Sequence, residues 1–104
     1  MKTSIQITAE ELITVQQILK RNLPQSAIVW VFGSRAGINI KKFSDLDLAI
    51  DDNSPLPYAT IVNLKCDFEE SGLPFKVDIV DWHQLDQSFQ NRINQYRAPK
   101  KIAF

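Results

Sequence analysis

Residues 45–50 read Asp-Leu-Asp-Leu-Ala-Ile, an alternation of acid and aliphatic side chains that turns wholly apolar at its end. A period of two is the mark of a β-strand with one buried face. On a strand from Ser44 to Ile50, Leu46, Leu48 and Ile50 enter a core. Asp45 and Asp47 then project together from the other face, with Cα atoms about 6.5–7 Å apart. Local propensity opposes this, because Asp is depleted in strands and like charges on one face repel. A divalent cation reverses the sign. Carboxylates at this spacing can hold one or two Mg²⁺ ions, which prefer hard oxygen ligands and take substrate phosphates as further ones. Asp78 sits between Val77 and Ile79 in a later apolar run and offers a third carboxylate from a neighbouring strand. Taken alone, the same residues also read as strand ends decorated with solvated acids.

The rest of the chain supplies a frame for that strand. Thr8-Ala-Glu-Glu11 fits a capping box, and Leu12, Val15, Leu19 and Leu23 follow at helical spacing until Pro24. Ala27–Phe32 is short, β-branched and aromatic, and reads as a buried central strand with Trp30 in the core. After the turn cluster Asp51-Asp-Asn-Ser-Pro55, a helix is predicted from Tyr58 to Ser71, with Ile61, Leu64 and Phe68 on one face and Gly72 as its stop. Phe75–Val80 reads as a third strand. Asp81 is predicted to cap a last helix carrying Leu85, Phe89, Ile93 and Tyr96. The tail from Arg97 to Phe104 is basic and then apolar, and Lys100-Lys101 with Ile102 and Phe104 reads as either a frayed end or a docking segment. The expected order is α-β-β-α-β-α, an α/β (α+β) fold with a small mixed sheet flanked by helices.

A chain of 104 residues leaves room for one domain, expected to span 1–104. Lys+Arg and Asp+Glu are equal at 12 each, so charge gives no reason to expect DNA binding along a phosphate backbone. One cysteine, Cys66, excludes an internal disulfide framework and a thiolate metal site, and one histidine, His83, argues against a multi-histidine zinc site. Cys66 reads as a helix-face residue without chemistry, and His83 as a surface or capping residue. The N-terminus lacks the apolar core of a signal peptide, and the longest wholly apolar run, Ala27–Phe32, is far short of the ~20 residues that span a bilayer. No membrane association and a cytoplasmic location are the expectations.

Gly33-Ser34 follows the predicted central strand directly. Glycine lets backbone approach an anion, and the Ser34 hydroxyl and neighbouring N–H groups can bond phosphate oxygens. Arg35 can pair with phosphate as well. In isolation Gly33-Ser34 is also an ordinary strand-ending turn, and Lys41 and Lys42 also read as a solvated loop. Strand, Gly-Ser, basic loop and Asp-x-Asp together bring anion donors and metal ligands to one end of a sheet.

These residues carry a family resemblance. Val31-Phe-Gly-Ser-Arg-Ala36 followed by Phe43-Ser-Asp-Leu-Asp-Leu-Ala-Ile50, with ten residues between Ser34 and Asp45, resembles the minimal nucleotidyltransferases of the DNA polymerase β-like superfamily. Val77-Asp-Ile-Val-Asp-Trp82 resembles the strand bearing that family's third carboxylate, at Asp78. Ile38 stands where relatives carry glycine, a substitution rather than a deletion because the spacing to Asp45 is kept. The nearest likeness is to MNT antitoxins, which are paired with helical HEPN ribonuclease toxins.

The resemblance implies a polymerase β-like fold and transfer of a nucleotidyl group, AMP from ATP, to a hydroxyl on a HEPN toxin. It implies Asp45, Asp47 and Asp78 as catalytic residues holding two Mg²⁺, with Gly33, Ser34 and Arg35 on the nucleotide phosphates. So small a domain leaves the base and acceptor to be enclosed by something else, either a partner protein or a second copy in a homodimer or hetero-oligomer. The rival reading is a non-catalytic antitoxin that neutralises its toxin by occlusion, and a weaker one is a regulatory nucleotide-binding domain. Occlusion requires neither Gly-Ser nor clustered carboxylates, so the intact motifs favour catalysis.

Overall fold

The computed structural model describes residues 7–32, 45–96 and 100–104. Helix α1 (Ala9–Asn22) begins at the expected box: Glu11 N–H donates to Thr8 Oγ1 at 3.1 Å and Thr8 N–H to Glu11 Oε1 at 2.9 Å. Strands β1 (Ile28–Phe32) and β2 (Leu46–Asp51) follow, then helix α2 (Tyr58–Glu69) and strand β3 (Val77–Asp81). A 3₁₀ turn (Trp82–Gln84), helix α3 (Gln87–Tyr96) and strand β4 (Lys100–Ile102) complete the described chain. Gly72 takes the left-handed φ of +78° just beyond α2, where a β-carbon would be strained.

The four strands form one mixed sheet in the order β3-β2-β1-β4. β1 runs antiparallel to both β2 and β4, whereas β2 and β3 are parallel, joined through α2 as a parallel pair requires. Val15, Ile18 and Leu19 of α1 and Leu64 and Phe68 of α2 pack with Val29, Val31, Leu46, Leu48, Ile50, Ile79 and Ile102 in one cluster. Both helices therefore cover the same face. Burying Leu46, Leu48 and Ile50 contributes about 1.5–3 kcal/mol each, against about 0.2–1 kcal/mol for a like-charge pair across strands. Burial wins, and β2 forms with its acid in place.

Three expectations need correction. Trp30 is half-buried rather than in the core, because Val29 and Val31 face the helices and the alternation turns Trp30 the other way, opposite Ala49 and Lys101. From Lys100 onward the tail is neither frayed nor a free docking segment, and residues 97–99 lie outside the described residues. Lys100–Ile102 pairs with β1, Ile102 enters the core, and Gln16 Nε2 donates to Ala103 O at 2.9 Å. Asp81 does not cap α3. It ends β3, is only 5% exposed, and accepts Leu56 N–H at 2.7 Å and His83 N–H at 3.1 Å. Asp86 takes the capping role, accepting Phe89 N–H at 2.7 Å. On α3, Ile93 is buried but Phe89 is largely exposed.

Asp81 thereby ties the end of β3 to the segment leading into α2. Asp81→Ala strands the buried Leu56 N–H and is expected to cost about 1.5–3 kcal/mol. Urea unfolding should show a lower midpoint at unchanged slope. No helix among the described residues is long and apolar enough to cross a membrane.

Candidate active site

One row of the sheet brings two of the candidate carboxylates into register. Phe32, at the end of β1, is in register with Asp47 on β2, and Asp47 is in register with Asp78 on β3. Adjacent strands lie about 4.8 Å apart, so the two acids are neighbours across the parallel ladder. Leu46 and Leu48 are fully buried on the helix-covered face, which leaves Asp47 on the opposite one. Asp78 follows suit, since Ile79 is buried beside it. Its side chain is 44% exposed, and Oδ1 lies 3.5 Å from Lys76 Nζ.

Asp45 falls one residue before β2, half-buried, rather than within the strand as its alternation predicts. β1 ends at Phe32, and Gly33, Ser34, Arg35, Lys41 and Lys42 lie outside the described residues. The chain order fixes one further point: β1 is antiparallel to β2, so it finishes beside the start of β2, where Asp47 stands.

Among the described residues, no three His, Cys, Asp or Glu side chains come together closely enough to hold a metal ion. The in-register pair Asp47 and Asp78 is what the described sheet supplies. That donor set fits magnesium, which is commonly bound through one or two carboxylates and completes its octahedron with water and substrate phosphates. It does not fit zinc, for which nitrogen or sulfur donors are wanted.

Sequence reasoning missed two polar contacts. Lys76 beside Asp78 obeys the same two-residue rule that pairs Asp45 with Asp47, so the signal was there. His83 Nε2 lies 2.6 Å from Asp51 Oδ1 at the far end of β2, a partner that only the parallel β2–β3 pairing brings near. Asp51 is four residues beyond Asp47, about 13 Å along the strand, and stands apart from the carboxylate row. Cys66 is free and exposed, as its helix position suggests.

A mixed sheet with paired acids on neighbouring parallel strands, behind a strand that runs into Gly-Ser, defines a class. Residues 14–97 match the family described as Polymerase beta, Nucleotidyltransferase, and the chain belongs to that family of nucleotidyltransferases. Over 91 residues it is 42% identical to the probable protein adenylyltransferase MntA of Haemophilus influenzae, a match covering 88% of this chain and 79% of that protein.

Solved structures agree on the fold. A toxin–antitoxin crystallised with AMP-PNP superposes with a TM-score of 0.68 at 23% identity, covering 88% of this chain and 71% of the other. A mutant of the MntA–HpeT toxin–antitoxin gives 0.65 at 21% identity, over 92% and 72%.

Proposed function

We propose that this protein is a magnesium-dependent adenylyltransferase that moves AMP from ATP to a hydroxyl of a cognate helical toxin of the HEPN type, and so acts as its antitoxin. The observation that carries the reading is the register of Asp47 with Asp78 at the sheet end where β1 leads into Gly33-Ser34-Arg35. The 42% identity to a probable protein adenylyltransferase supports a protein acceptor, and the toxin–antitoxin folds support its identity.

In this reading Gly33, Ser34 and Arg35 hold the triphosphate and Asp45, Asp47 and Asp78 would hold magnesium. Bound there, the ion would neutralise phosphate charge and acidify the acceptor hydroxyl. Held by Gly33, Ser34 and Arg35, the triphosphate would present its α-phosphorus for in-line attack, which lowers the entropic part of the barrier. The acceptor oxygen bonds to the α-phosphorus as the bond to the bridging oxygen of pyrophosphate breaks. Asp78, open to solvent on one side, takes the hydroxyl proton. The toxin, or a second copy of the chain, encloses what a sheet this small leaves open.

The test is pyrophosphate release from ATP with the purified toxin as acceptor. Release should require toxin and magnesium together and should stop with EDTA. Release that persists unchanged in EDTA, or none with any toxin present, overturns the reading.

A further inference from the structure

Lys76 sits one residue before β3, and its carbonyl accepts Leu46 N–H at 2.8 Å, which fixes this position against the start of β2. Being two residues from Asp78 in extended chain, it shares that residue's face, and its ammonium reaches Asp78 Oδ1 at 3.5 Å. The lysine side chain is 73% exposed. An ion pair this open to water is weak and readily exchanged.

We propose that Lys76 competes with the divalent ion for Asp78 and thereby sets the metal concentration at which the site fills. This rests on the reading above, in which Asp78 is a metal ligand. The ammonium lies 3.5 Å from a carboxylate oxygen that a metal would take, and its positive charge there opposes the approach of a second cation. A buried lysine would shut the site, whereas an exposed one only raises the threshold.

The experiment follows thermal unfolding of the full chain during a magnesium titration, with a nonhydrolysable ATP analogue at fixed concentration. Lys76→Gln should lower the half-saturating magnesium concentration about two- to five-fold, the range an exposed ion pair allows. Lys76→Arg, which keeps the charge, should stay at the wild-type value. Lys65→Gln removes the same charge from α2 and should not move it. If wild type responds to magnesium but Lys76→Gln has the same midpoint or a higher one, Lys76 is not a competitor and the inference fails alone. If wild type gives no magnesium-dependent shift at all, the carboxylates hold no divalent ion and the inference falls together with the reading on which it rests.

Discussion

Asp47→Asn should lower AMP transfer by at least two orders of magnitude while leaving the protein as stable as wild type within about 1 kcal/mol. The two halves of that expectation have different origins. Catalytic loss is expected because Asp47, between Phe32 and Asp78 in register, is a proposed metal ligand whose charge the variant removes. Several kcal/mol of transition-state stabilisation depend on metal-bound phosphate, and each 1.36 kcal/mol is about a factor of ten in rate. Stability is spared because β2 is held by Leu46, Leu48 and Ile50, all fully buried on the other face. Asn is isosteric with Asp and removes one of two like charges in register, which offsets the polar contact it weakens. Single-turnover transfer and thermal unfolding on the same preparation check both halves. A variant that transfers normally removes Asp47 from the site. One that loses activity only because it unfolds makes Asp47 a structural residue.

How far the sequence foretold this arrangement depends on whether the deciding contact was local. Thr8 and Glu11 are three residues apart, so their reciprocal cap was legible. Leu46, Leu48 and Ile50 announced their own face by alternation, and their burial agrees. Asp47 and Asp78 were legible as candidates on neighbouring strands, but their register was not, since it belongs to two strands separated by α2. Strand β4 was hidden for a related reason. Three residues are too few to show a period, and what orders them is the open edge of β1 and a place for Ile102 in the core. In Ala27–Phe32 the side chains are apolar on both faces, so pattern alone could not say which face Trp30 takes. Asp81 suited a helix start by sequence, but burial at the end of β3 assigned it elsewhere and left the cap of α3 to Asp86. Local conflict was informative at β2, where an acid in a strand marked the row now proposed as the site.

Co-production of the Asp45→Asn/Asp47→Asn double variant with the toxin separates catalysis from occlusion. If the protein acts by transfer, toxin recovered with wild type carries one or more AMP units by intact mass, and toxin recovered with the variant carries none. Cells producing the variant then lose protection, by the same factor of a hundred or more expected for transfer. If it acts by occlusion, the variant still forms the complex and still protects, and the toxin mass is unchanged with either protein. Pull-down of the toxin by the variant keeps the two outcomes apart from simple loss of binding. The physical grounds favour transfer. A docking surface gains nothing from acids in register on neighbouring strands, and tolerating them costs a fraction of a kcal/mol for each like-charged pair. Lys76 offsets part of that cost at Asp78 through an exposed, exchangeable contact, the arrangement suited to a carboxylate that must also serve a divalent ion. Protected cells containing only unmodified toxin would decide for occlusion and leave the carboxylate row without a catalytic role.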